Sequence, residues 1–313
     1  MLSPTPAPAP TPPPLLAVDT LHTASLVWPR PALAQCVMAV MLRDTRGLHL
    51  SDAQRHNYFA ASPCCTISWL FHGSGAMVEP GPGGELGGGA HRPLPVPLIF
   101  SGPSNRPQVS WNPGEAQVLM LALMPDAFTA LTGLAPSAFM NRHLPAREVL
   151  GPAWQPLLDA VWHAPDDAER LAQIEIHLDP WWQAVRPAAP AHGLRMDDWL
   201  RSLTLRAANS GLGRSARQLE RRIKQWTGQP LRELRGITRN ERAYFDAIAA
   251  DAEGALNWSG VASEAGFADQ SHLCRQTRRL TGFSPEELRQ RIKTDEGFWF
   301  YRAWGFTETG LPR

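Results

Sequence analysis

The chain has 313 residues, 43% of them hydrophobic, with 30 Lys/Arg against 29 Asp/Glu and a formal net charge of +1. That length allows two separate cores, the 19% charged fraction suits a globular rather than a disordered chain, and no apolar run is long enough to cross a membrane. The charge is uneven: residues 201–300 hold 17 Arg/Lys and 12 Asp/Glu, net +5, so the remainder, with 13 and 17, stands at −4, and only the C-terminal part is placed to meet a polyanion.

Residues 1–16, with prolines at nearly alternate positions, are expected to form a disordered tail. They lack the basic start and apolar run of a signal peptide, and Cys36, Cys64, Cys65 and Cys274 form no CxxC or regular framework, which points to a reducing, cytoplasmic location. Segments Leu33–Leu42, Cys65–His72, Pro97–Phe100 and Gln117–Leu123 read as short strands broken by Pro and Gly clusters, the pattern of an antiparallel sandwich or barrel. Gly73–Gly89 has no Gly-Lys-Ser/Thr ending and opens no helix, so it reads as a flexible strand connection rather than a phosphate loop.

Met124-Pro125-Asp126 starts a helix, and further helices are predicted over Ala146–His163 and Asp166–Val185, where Leu, Ile and Trp recur every three or four residues. Residues 17–185 thus form an N-terminal β-rich domain with added helices. The Pro-rich stretch Arg186–Gly193 is the linker, 194–293 a helical domain and 294–313 a tail. The fold class is α+β and multidomain.

The helical domain contains a repeat. A shift of 54 residues lays Ser215–Gly228 on Asp269–Gly282, so that Leu219, Arg221, Thr227 and Gly228 recur as Leu273, Arg275, Thr281 and Gly282, and Lys224 meets Arg278. Before the second copy, Trp258, Val261, Ala262 and Ala265 mark a short amphipathic helix that ends near Gly266. A second helix starts near Asp269, with Leu273, Thr277 and Leu280 on its packing side and a polar, cationic opposite face. Ser284-Pro285-Glu286-Glu287 then opens another helix with an N-cap serine, a first-turn proline and a capping-box glutamate. Two helices joined by a tight glycine turn form a helix-turn-helix, whose second member enters the DNA major groove. A single helix expected over Leu231–Ala250, interrupted only by Gly236, spans about 30 Å at 1.5 Å per residue, close to the roughly 34 Å between successive major-groove segments on one DNA face.

The run GFADQSHLCRQTRRLTGFSPEEL resembles the second helix-turn-helix of AraC/XylS-family transcription regulators, with Thr277 standing where that family usually places phenylalanine. The resemblance implies two helix-turn-helix units joined by a long helix and reading successive grooves. More weakly, the strands, the Gly102 turn and LMLALMPDAFTALTGL resemble the β-rich, cupin-like sensory domain of one branch of the family. That implies effector binding and dimerisation. The expected partners are double-stranded DNA, an unidentified small-molecule effector, RNA polymerase and a second copy of the chain, with no membrane, cofactor or metal.

Arg217, Glu220 and Arg221 in the first copy, and Ser271, Cys274 and Arg275 in the second, sit at i, i+3, i+4 opposite the packing leucines and are the candidate base readers. The arginines suit guanine O6/N7, and Glu220 suits cytosine N4. Arg214, Gln218, Arg222, Lys224, Gln270, His272, Arg278 and Arg279 are the candidate phosphate contacts. Trp69, Phe71, Trp111 and Met120 are candidates for an effector pocket.

Three other readings fit parts of the sequence. His49, His56, His72 and His91 with Cys64 and Cys65 lack the close spacing of a metal motif. A DNA-targeted alkyl-transfer repair enzyme would need Cys64 or Cys65 as acceptor, but CCTISW offers no adjacent base or cation to activate a thiol. An ordinary helical hairpin with a solvated basic face is the plainest alternative.

Overall fold

The computed structural model describes residues 23–187, 196–210 and 215–309. The proline-rich start, most of the linker and Arg214 lie outside the described residues. Ten strands open the chain: β1 (Ala24–Val27), β2 (Val37–Asp44), β3 (His56–Phe59), β4 (Cys65–His72), β5 (Ala76–Val78), β6 (His91–Pro93), β7 (Leu98–Ser101), β8 (Gln108–Trp111), β9 (Gln117–Leu123) and, after the first helix, β10 (His143–Pro145). They pair antiparallel into a six-stranded sheet ordered β1-β2-β9-β4-β7-β10 and a four-stranded sheet ordered β3-β8-β5-β6.

Strand alternation assigns two jobs to the larger sheet. Ile67 and Trp69 of β4, with Leu119, Leu121 and Leu123 of β9, are completely buried. They face α1 (Pro125–Thr132), α2 (Ala146–Leu150), α3 (Gln155–His163) and α4 (Asp167–Val185). Trp69 Nε1 donates to Leu158 O of α3 at 3.1 Å, and Phe71 stacks on Trp162. The intervening residues Thr66, Ser68, Val118, Met120 and Ala122 turn towards the smaller sheet and line a cavity. The single helix expected over Ala146–His163 is broken, because Gly151 adopts a left-handed φ of 71° and Pro152 starts a separate 3-10 turn.

The C-terminal part contains α5 (Met196–Asn209), α6 (Ala216–Thr227), α7 (Leu231–Ala252), α8 (Trp258–Glu264), α9 (Gln270–Thr281) and α10 (Pro285–Thr294). Its first half shares its core with the sandwich: Trp199, Leu203, Ile223 and Leu234 join the same apolar cluster as Trp69 and Phe128. Trp199 Nε1 donates to Asp126 Oδ1 at 2.9 Å, and Arg206 pairs with the same carboxylate.

The chain does not finish as the loose tail expected from residue 294. Asp295 caps a 3-10 turn, Glu296–Phe298, which leads into α11 (Trp299–Thr309), and this segment packs back onto the β-sandwich. Phe298 stacks on Tyr58, Trp299 Nε1 donates to Asn57 Oδ1 at 2.8 Å, and Arg43 of β2 donates to Glu296 Oε1 at 2.5 Å. The signal for it was aromatic: FWFYRAW is far too apolar to remain in water. No helix among the described residues is long and apolar enough to cross a membrane.

Candidate nucleic-acid interface

The two copies of the repeated unit build the same local structure. Ser215 Oγ and Asp269 Oδ1 cap α6 and α9 by accepting from the backbone N–H three residues on. At the other ends Gly228 and Gly282 take left-handed φ angles of 75° and 88°, and each donates its N–H back into its helix, to Lys224 O and Arg278 O, at 2.8 Å. Just inside, Thr227 Oγ1 donates to Ile223 O and accepts from Gln229 N, at 2.7 and 3.2 Å. Thr281 repeats this with Thr277 O and Phe283 N at 2.8 and 3.2 Å. Caps, terminators and buried threonines therefore all recur at the 54-residue offset of the sequence repeat.

Leu273, Thr277 and Leu280 form the buried side of α9, as the periodicity requires. Thr277, in place of an aromatic residue, forms a polar tie instead: its Oγ1 donates to Asn240 Oδ1 of α7 at 2.7 Å, with both side chains buried. Thr277→Val, close in shape, leaves the Asn240 carbonyl without this donor and is expected to cost about 1–3 kcal/mol, measured by urea denaturation. Gly236 of α7 faces α9, where a Cβ would meet the movable amide end of Gln276, 2.4 Å from its Nε2.

Opposite these packed faces, Arg217, Glu220, Arg221, Ser271 and Arg275 are exposed and Cys274 is half-buried. Of the candidate phosphate contacts, Lys224, Gln270, Arg278 and Arg279 are exposed and Gln218, Arg222 and His272 are half-buried. Several are engaged within the protein: Gln270 Oε1 accepts from Ser259 Oγ at 3.2 Å, and the His272 ring packs edge-on against Phe267. Arg222 Nη1 donates to Ala207 O at 2.8 Å, bracing α6 on α5, and Arg279 pairs with Glu233 at 2.6 Å. The spacer is an unbroken 22-residue α7, about 33 Å long at 1.5 Å per residue.

Both α6 and α9 are anchored by their C-terminal ends to the N-terminal part of the chain. Thr129 Oγ1 of α1 donates to Trp226 O, and Gly228 lies so close to Ser137 that a Cβ would fall 2.6 Å from its backbone nitrogen. In the second unit Ala61 N donates to Leu280 O at 2.8 Å, and Leu86 packs on Gly282. The glycine-rich segment expected to be only a flexible connection thus carries β5 and this Leu86 anchor.

The cavity between the sheets measures about 300 Å³ and is closed by Ile237, Asn240 and Tyr244 of α7 and by Trp299 of α11. Of the four expected pocket residues only Met120 lines it. Trp69 and Phe71 fall on the helix-covered side of β4, and Trp111 lies outside, donating to Asp52 Oδ1 at 2.9 Å. One lining residue titrates in an accessible range. Burial pushes His143 down from 6.5 to about 4, so the unfolded chain takes up its proton first. Stability is therefore full above pH 6.5 and falls as the pH drops from 6.5 towards about 4, and His143→Gln flattens that part of a stability-versus-pH curve.

Among the described residues no three His, Cys, Asp or Glu side chains gather as a metal ion would need. Cys64 and Cys65 are buried, and burial pushes the Cys64 thiol up to about 12 and that of Cys65 higher still. Neither presents the exposed, low-pKa thiolate that alkyl acceptance requires.

A helix-turn-helix domain model matches residues 210–291, the stretch that contains α6, α7 and α9. This region is a helix-turn-helix domain. No curated protein matches the chain. Among solved structures, ToxT from Vibrio cholerae is 11% identical and aligns over 82% of this chain and 95% of its own, with a TM-score of 0.34. Unsaturated fatty acid bound wild-type ToxT is 12% identical over 79% of this chain and 93% of its own, also at 0.34.

Proposed function

We propose that the protein is a sequence-specific transcription regulator whose two helix-turn-helix units read successive major grooves on one face of DNA, under the control of a small-molecule effector held by the N-terminal domain. The observation that carries this reading is the pair of trios, Arg217/Glu220/Arg221 and Ser271/Cys274/Arg275, exposed apart from the half-buried Cys274, at matching positions of two helices capped at the same offset and joined by the continuous α7. Side chains at the exposed face of such helices reach base edges. Lys224, Gln270 and Arg278 then contact phosphates, and Arg279 joins them if it leaves Glu233. Effector control is supported by the cavity, whose walls come both from the sandwich and from α7, so its occupancy bears on the helix that spaces the readers. The buried Cys64 and Cys65 thiols do not support the alkyl-acceptor alternative.

The test is competition between a duplex selected from random DNA and a scrambled duplex for the full chain, at several salt concentrations. Preference for the selected duplex with steep salt dependence supports the reading, and equal affinity for both overturns it. Within that assay Lys224→Ala is expected to weaken binding to every duplex alike and to reduce the salt slope by about 1, since a phosphate contact carries no base information.

A further inference from the structure

The cavity between the sheets contains more chemistry than apolar filling. Five of the protein's eight methionines, Met38, Met41, Met77, Met120 and Met196, line it. Unbranched, polarisable thioethers form a wall that adapts to an apolar guest. Among the lining residues the only guanidinium is Arg43 and the only carboxylate is Glu241. Arg43 is 4% exposed, and its Nη1 and Nη2 are used by Thr23 and Glu296, yet among the described residues its buried Nε meets no hydrogen-bond partner. A buried donor left unsatisfied costs about 1–3 kcal/mol, so an orphan of this kind beside a cavity marks where an acceptor belongs.

Charge narrows the acceptor. Arg43 is already paired with Glu296 at 2.5 Å, and Glu241 stands in the cavity wall. A carboxylate guest would meet the Glu241 charge and a guanidinium that Glu296 already compensates, and an ammonium would face Arg43. Either charged form would pay desolvation for a partner that is already shared or of like sign. The remaining polar lining is neutral, Thr66, Ser68, Ser101, Gln108 and Ser110 among it.

We propose that this cavity binds an uncharged, largely apolar molecule carrying one hydrogen-bond acceptor, a ketone, ester or hydroxyl, set against Arg43 Nε. The inference deepens the effector part of the proposed function and is independent of DNA recognition.

The test uses the full chain labelled with ¹³C at the methionine methyl groups, titrated with four probes of one tail length: 2-octanone, octane, octanoate and octylammonium. The expected result is that 2-octanone shifts the signals of Met38, Met41, Met77, Met120 and Met196, leaves those of Met124 and Met140 in place, and binds at least tenfold tighter than the other three. Tighter binding of octanoate or octylammonium overturns the neutral assignment. Equal binding of octane overturns the role of Arg43 Nε, and shifts at Met124 and Met140 alone, or none at all, overturn the site. Duplex binding measured on the same sample keeps the two readings apart, since a failed titration leaves specific DNA binding intact, and failed DNA binding leaves the methyl shifts unchanged.

Discussion

Glu296→Ala is expected to lower the unfolding free energy by about 3–5 kcal/mol, the scale for removing one partner of a buried ion pair. Glu296 is fully buried and accepts from Arg43, itself 4% exposed, while its second oxygen accepts from Arg302. Without the carboxylate, two buried guanidiniums face each other across the junction between β2 and the C-terminal segment. Arg43 has already lost solvation there, and burial lowers its pKa and that of Arg302. Glu296→Gln, which keeps an acceptor but not the charge, should fall between the variant and the parent. Denaturation by urea, followed by tryptophan fluorescence, measures both, and an unchanged midpoint for Glu296→Ala would show that the segment contributes little to holding the sandwich.

The second large effect concerns affinity. Arg221→Ala and Arg275→Ala are each expected to cost about 1–3 kcal/mol of discrimination at one base position, with the preference there relaxed. The two residues occupy different helices at matching positions, and losses at separate sites add, so the double variant should lose about 2–6 kcal/mol, roughly 30-fold to more than 10,000-fold. Both side chains are exposed, so thermal stability should stay within about 0.5 kcal/mol of the parent. Competition binding on the selected duplex and on duplexes changed at single positions checks this. A double variant that weakens selected and random DNA equally would place these arginines on phosphates.

The contrast between legible and illegible parts follows the physics of each signal. Strands β4 and β9 coincide with their sequence-based limits, Cys65–His72 and Gln117–Leu123, because long apolar runs bounded by Pro and Gly declare themselves. Strands such as β6, three exposed residues including a proline, exist only through pairing with β5, which no local composition reveals. The reading helices were legible down to Asp269 and Gly282, since caps and left-handed terminators depend on residue type. The pocket was not. Trp69 and Met120 both look like lining until the parity of each strand is known, and a shift of one residue moves a side chain to the opposite face. Glu296 reads as an ordinary acidic residue after a helix, because its partner Arg43 lies 253 positions away.

That the two readers act one helical turn apart, on a spacer that does not bend, is tested most directly by changing the spacing in a selected operator. Inserting 5 base pairs, about half a turn of B-DNA, between the two protected blocks turns one block to the far side of the duplex. The full chain should then bind no more tightly than it binds an operator with one block scrambled. Affinity unaffected by the insertion would contradict the account.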